Sequence, residues 1–131
     1  MNKAERKRML IVDDNEDDLI RLESLFETLG YDTTTAWSGQ EALERLESKD
    51  FDVVLLDEFL PDVRSETVLR AIRRFTVQPW VALLHNNPGL ERSAFSSLNP
   101  DCSIRKNGVG AVADALEQCL SHAGALALQN P

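Results

Sequence analysis

Residues 51–62, FDVVLLDEFLPD, constrain this chain more than any other stretch. Residues 52–56 are almost wholly Val and Leu. The run is too short for an ordinary helix, and its composition suits a strand buried on both faces. It stops on a carboxylate, Asp57, and the chain then turns through Leu60, Pro61 and Asp62. A charge at the carboxyl end of a buried parallel strand lies where open α/β sheets place their sites. The plainer reading is that Asp57 only ends a strand or caps the next element, and the stretch by itself does not choose between the two.

A second run, Met9 to Val12, ends on two adjacent carboxylates, Asp13 and Asp14. If both runs are strands of one parallel sheet, their carboxyl ends lie side by side and three carboxylates crowd one edge. Such crowding is unfavourable unless a proton or a cation neutralises it. Magnesium fits that need, because it takes oxygen ligands, uses few protein carboxylates and keeps several waters.

The 131 residues suit one domain, set at residues 8–122, with short flexible tails expected at 1–7 and 123–131. Fourteen basic against 22 acidic residues give a net charge of −8, which argues against a general nucleic-acid surface. The basic cluster at residues 3–8 reads as a solvated tail. Cys102 and Cys119 lack metal or redox spacing, as in a reduced intracellular protein. No apolar run approaches the ~18 residues of a membrane span, and Asp13 and Asp14 cut short any N-terminal signal segment. A cytoplasmic chain without membrane or nucleic-acid partners is expected.

Between the runs the hydrophobic period changes. Leu19, Leu22, Phe26 and Leu29 recur at helical spacing over residues 16–28, with acids in the first turn and Gly30 after the end. The threonines of residues 31–36 predict an edge strand. Ser38-Gly39-Gln40-Glu41 is a capping box opening a helix with Ala42, Leu43 and Leu46 inward. A third helix starts near Glu66 and buries Val68, Leu69, Ile72 and Phe75. A fourth strand covers residues 80–84, and His85 begins a loop. A short helix is predicted over 90–98, a weak strand over 102–105 and a last helix over 109–122. The order is βα repeated, which predicts a parallel sheet covered by helices on both faces.

Asp13 and Asp14, the Asp57-x-x-Leu60-Pro61 turn and the late Lys106 resemble, in order and spacing, the receiver domain of two-component response regulators. The resemblance spans residues 9–122. It implies a CheY-like, flavodoxin-like α/β fold, a doubly wound five-stranded parallel sheet in the order 2-1-3-4-5. It implies that Asp57 accepts a phosphoryl group from a phosphohistidine on a sensor histidine kinase or a histidine phosphotransfer protein. Mg²⁺ would be held by Asp13, Asp14, Asp57 and the backbone carbonyl of Phe59, with Asp14 the direct ligand and Asp13 acting through water. Lys106 would pair with Asp57 at rest and with a phosphoryl oxygen afterwards.

The departures concern transmission. The family usually has Thr or Ser at the end of strand four, where this chain has Leu84, or His85 if the alignment shifts by one residue. The switch aromatic of strand five falls on Ser103. Asn107 stands where proline usually follows the lysine, and Ser65 where glycine is common. A hydrogen bond to a charged group contributes about 1.5–3 kcal/mol, against ~5.5 kcal/mol for a full two-state reversal. Losing the hydroxyl therefore removes much of the usual switching drive, unless the imidazole of His85 replaces it.

Two functions are compatible with these residues. The first is a phosphoacceptor receiver, not a turnover enzyme, that signals through protein contacts with an output protein the sequence does not name. The family's habit of docking or homodimerising through the face of the fourth and fifth helices would involve Arg92, Ser96 and parts of residues 109–120. The alternative is a phosphorylation-independent pseudo-receiver, a constitutive binding module, favoured by the degenerate positions Leu84, His85 and Ser103. A phosphohydrolase with Asp-x-Asp is set aside because Glu58 and Phe59 follow Asp57. A dinucleotide-binding protein is set aside because no glycines follow the first strand.

Overall fold

Short apolar strands alternate with amphipathic helices along the chain, as a computed structural model describes for residues 6–86 and 100–129. The elements are β1 (Arg8–Val12), α1 (Glu16–Thr28), β2 (Asp32–Ala36), α2 (Gly39–Ser48), β3 (Val53–Asp57), α3 (Ser65–Arg73), β4 (Trp80–His85), β5 (Cys102–Arg105) and α4 (Val109–Gln129). The strands form one five-stranded sheet in the order β2-β1-β3-β4-β5. Every pairing is parallel. The helix expected over 90–98, with Arg92 and Ser96, lies outside the described residues.

Side chains alternate across a strand with a period of two, and the sheet divides its apolar residues accordingly. Leu10, Val12, Val54, Leu56, Val81 and Leu83 pack with Ala42 and Leu46 of α2 and Val68, Leu69 and Ile72 of α3. Met9, Ile11, Val53, Leu55, Ala82, Leu84 and Ile104 pack on the other side with Leu19, Leu22 and Phe26 of α1 and Val112 and Leu116 of α4. β3 is central and buried throughout, so its Val–Leu run needs no polar alternation. Each large apolar side chain buried this way contributes about 1.5–3 kcal/mol before entropy is counted.

Side chains cap the starts of two helices. Asn15 Oδ1 accepts the Asp18 N–H at 3.0 Å and opens α1. Ser38 Oγ accepts the Glu41 N–H at 3.1 Å and opens α2. Gly30 follows α1 at φ +100°, a conformation side chains disfavour. One tie crosses elements: the Asp62 carboxylate accepts the N–H groups of Gly39 at 2.8 Å and Gln40 at 3.0 Å. The Gln40 N–H, with those of Gly39, Val63 and Asp62 itself, holds the Asp62 carboxyl below the usual range. The loop after β3 is thus fastened to the start of α2.

Three boundaries differ from the sequence expectation. β3 takes in Asp57 itself, because the ladder to β4 continues through the pair Asp57–Leu84. β4 includes His85, which was expected to open a loop. His85 pairs with Arg105, and its carbonyl accepts the Lys106 N–H at 2.8 Å, so the ladder extends one residue further. The last helix runs to Gln129, so the expected tail from 123 is helical over its first positions. The cause is local: Ala and Leu dominate residues 123–129, and their helix propensity outweighs the ~1 kcal/mol penalty of Gly124. Among the described residues no helix is long and apolar enough to cross a membrane.

Gly39 sits where a Cβ would lie 2.6 Å from the Val63 Cβ, whereas a Cβ at Gly110 meets nothing within 4 Å. Gly39→Ala is expected to lower stability by about 1–3 kcal/mol through overpacking. Gly110→Ala, inside α4, is expected to be neutral or stabilising by up to ~1 kcal/mol. Urea unfolding midpoints of the two variants check this, and equal midpoints would contradict the close approach of loop and helix.

Candidate functional site

The sheet order places the ends of β1 and β3 side by side, with Val12 opposite Leu56. The next residues, Asp13 and Asp57, therefore meet at one edge. The Asp13 backbone N–H donates to the Ala36 carbonyl of β2 at 3.1 Å, which fixes the turn out of β1. One carboxylate oxygen from each of Asp13, Asp14 and Asp57 lies within 4.8 Å of the others; Asp13 and Asp57 are buried and Asp14 is exposed. Three hard oxygen donors at the rim of a polar edge fit a small divalent cation with room for water. Phe59 stands on the rim, 65% exposed, and its N–H lies 3.5 Å from Asp57 Oδ1.

Lys106 follows β5 and reaches into this edge. Its ammonium lies 2.7 Å from Asp13 Oδ2, 3.2 Å from Asp18 Oδ2 and 3.6 Å from Asp57 Oδ2. The sequence expectation pairs Lys106 with Asp57; the closest partner is Asp13, which is fully buried and whose other oxygen accepts the Asn15 N–H at 3.0 Å. By sequence Asp18 is one of the acids in the first turn of α1. The available signal was its spacing: Asp18 lies one turn before Leu22, which packs in the core cluster of α4, so both face α4 and the lysine beside it.

Burial pushes the Asp57 carboxyl up to about 7, the Asp13 charge adds to the rise, and Lys106 opposes it. Burial pulls the Lys106 ammonium down, but the hydrogen bonds to Asp13 and Asp18 and the charges of Asp57 and Asp13 leave it raised.

Behind the carboxylates the turn is tied by buried polar groups. The hydroxyl of Ser65, the first residue of α3, faces the carbonyls of Asp57 at 2.5 Å and Glu58 at 2.7 Å. A single hydroxyl proton serves both. Glu58, to which the sequence assigned no role of its own, is also buried. Its N–H donates to the Leu84 carbonyl at 2.9 Å, and its Oε1 accepts the Asn86 N–H at 3.3 Å. Of the degenerate positions, Leu84 is a core residue, Ser103 is exposed, and His85 ends β4 with its imidazole buried. The strand therefore ends on His85, which is not a solvated loop histidine. No cis peptide occurs among the described residues.

The chain matches the family model for the response regulator receiver domain over residues 9–90. The response regulator SaeR of Staphylococcus aureus is 38% identical over 66 residues, which make up 50% of this chain and 28% of that protein. This chain thus spans less than a third of the curated relatives it matches. A CheY-like receiver domain protein from Methanospirillum hungatei superposes with a TM-score of 0.78 at 26% identity, covering 89% of this chain and 95% of that one. The response regulator TrrA of Thermotoga maritima, solved in complex with Mg(2+)-BeF, gives 0.76 at 25% identity, covering 86% and 98%.

The raised Asp57 carboxyl links stability to pH. A group raised from 3.8 to about 7 on folding contributes stability that is present at low pH and lost as pH rises through about 7. Asp57→Asn cannot ionise and escapes that loss. Its stability advantage over the unsubstituted protein is expected to grow by about 2 kcal/mol between roughly pH 5 and pH 7, after discounting for solvent at the rim. Chemical denaturation in chelator measures it, and a pH-independent difference would contradict the burial argument.

Proposed function

This chain belongs to the response regulator receiver family, and from that premise we propose that it accepts a phosphoryl group on Asp57 and signals through protein contacts. The observation that carries the reading is the meeting of Asp13, Asp14, Asp57 and Lys106 at the ends of β1, β3 and β5. The donor would be a phosphohistidine on a sensor histidine kinase or a histidine phosphotransfer protein, in the cytoplasm. An Asp57 oxygen forms the new bond to phosphorus while the P–N bond breaks, and its electron pair stays on the departing imidazole. The nucleophile is a carboxylate, so positioning and charge neutralisation supply the help.

The chain's own groups divide that work. Asp57 attacks in its ionised form, and Lys106 moves as a point charge from the carboxylates to a phosphoryl oxygen. Both oxygens of Asp13 are engaged, by the Asn15 N–H and Lys106. That supports Asp14 as the direct Mg²⁺ ligand with Asp57 and the Phe59 carbonyl, and Asp13 as a ligand through water. The cation, when bound, neutralises the crowded carboxylates and the phosphoryl oxygens. Ser65 and Glu58 hold the turn that carries Asp57. The chain acts as a phosphoacceptor and not as a turnover enzyme.

Intact mass after incubation with acetyl phosphate and Mg²⁺ tests the reading. One added phosphoryl mass is expected, absent in Asp57→Ala and absent in chelator. No gain, together with no binding of Mg²⁺ or beryllofluoride, would transfer the assignment to the pseudo-receiver, which Leu84 in the core and exposed Ser103 favour.

Those same positions bear on output. Leu84 faces the core and donates no hydrogen bond from its side chain, and Ser103 supplies no aromatic to swing. We therefore expect the response to beryllofluoride and Mg²⁺ to be strongest in the loops after β1 and β3. Backbone NMR shifts check this. Large changes confined to β4, β5 and α4 would contradict it.

A further inference from the structure

Asp18 takes no part in the chemistry above, yet it holds the group on which that chemistry depends. Ammonium hydrogen bonds span about 2.7–3.2 Å. Lys106 meets that range with Asp13 at 2.7 Å and Asp18 at 3.2 Å, while Asp57 at 3.6 Å lies outside it. Asp18 is fixed from both directions. Its N–H is capped by Asn15 Oδ1, and Leu22, one turn on, is buried in the cluster that includes Val112 and Leu116. A small cavity of about 140 Å³, lined by Asp18, Arg21, Asn86, Lys106 and Val109 among others, borders the pair and leaves the ammonium room to move.

We propose that Asp18 is a positioning residue that competes with the phosphoacceptor for Lys106 and so weakens binding of the phosphoryl group. The inference rests on the phosphoacceptor reading. A phosphoryl group on Asp57 draws Lys106 toward it, and the lysine must give up Asp18 to respond. A contact made only in the unloaded state opposes loading, because it favours the state that the ligand has to leave. The Asp18 side chain is 36% exposed, so water takes up the released carboxylate and the opposing effect is modest.

Calorimetric titration with beryllofluoride in saturating Mg²⁺ tests this on the full chain. Asp18→Asn is expected to tighten beryllofluoride by about two- to five-fold, the range of a partly exposed ion pair. Asp18→Glu, which keeps the charge, is expected to return most of the affinity toward the unsubstituted value. Two comparisons separate competition for the lysine from the mere loss of a negative charge. Asp17→Asn removes the same charge one residue earlier, from an exposed side chain on another face of α1, and is expected to change affinity less than Asp18→Asn. In a Lys106→Met background the Asp18→Asn effect is expected to vanish, as a double-mutant cycle requires of a coupled pair. An equal effect from Asp17→Asn, or persistence of the Asp18→Asn effect without the lysine, overturns the proposal. If Lys106→Met abolishes beryllofluoride binding, the Asp17 comparison decides. Failure of the unsubstituted protein to bind beryllofluoride overturns the phosphoacceptor reading and this one together. Binding by the unsubstituted protein with unchanged affinity in Asp18→Asn overturns this one only.

Discussion

The contact between Lys106 and Asp13 joins residues 93 apart in sequence across the working edge of the sheet. Removing either partner strands a buried charge, which is costly, whereas the intact pair barely repays its own desolvation. The pair is therefore a poor source of stability and a good means of register. It requires β5 to end where Lys106 can reach over β4 and β3 to the end of β1. Asp57 lies beside the pair, and burial there, with the Asp13 charge, raises its carboxyl.

Around this pair the backbone is held by contacts between neighbouring loops. Asp62 fastens the loop after β3 to the start of α2, and Gly39 lets the two approach. The Ser65 hydroxyl closes the same loop from the side of α3, in the place where the family commonly has glycine. Glu58 extends the β3–β4 ladder by one hydrogen bond and then binds the Asn86 N–H. Each contact restrains the peptide units beside Asp57 without touching its carboxylate. In the phosphoacceptor role proposed for it, Asp57 would need only position and neutralisation and would gain from such restraint.

Much of this is legible in the residues alone. The Val–Leu run of residues 53–56 has one good solution, a strand covered on both sides, and the alternation of such runs with helical periods implies a parallel sheet. The capping residues Asn15 and Ser38 and the positive-φ Gly30 follow local rules that do not depend on the fold. His85 was harder, since a strand's last residue is decided by the partner strand's hydrogen bonds and not by its own preference. Asp18 was harder still. Its charge suits the first turn of any helix, and its place one turn before Leu22 gives the face it shares but not the lysine as its partner. Glu58 had the same ambiguity, a carboxylate beside a carboxylate, until Asn86 came within reach.

The sequence by itself determined the strands, the helices with their inward faces, and the presence of acids at two strand ends. Those depend on the order of apolar and polar residues over a few turns, and hydrophobic burial enforces them locally. The tertiary structure decided which carboxylate Lys106 prefers, which residue ends β4, and how the Asp57 carboxyl is shifted. These are outcomes of distance between residues far apart in sequence, and electrostatic interaction at an edge shielded from water changes sharply over an ångström.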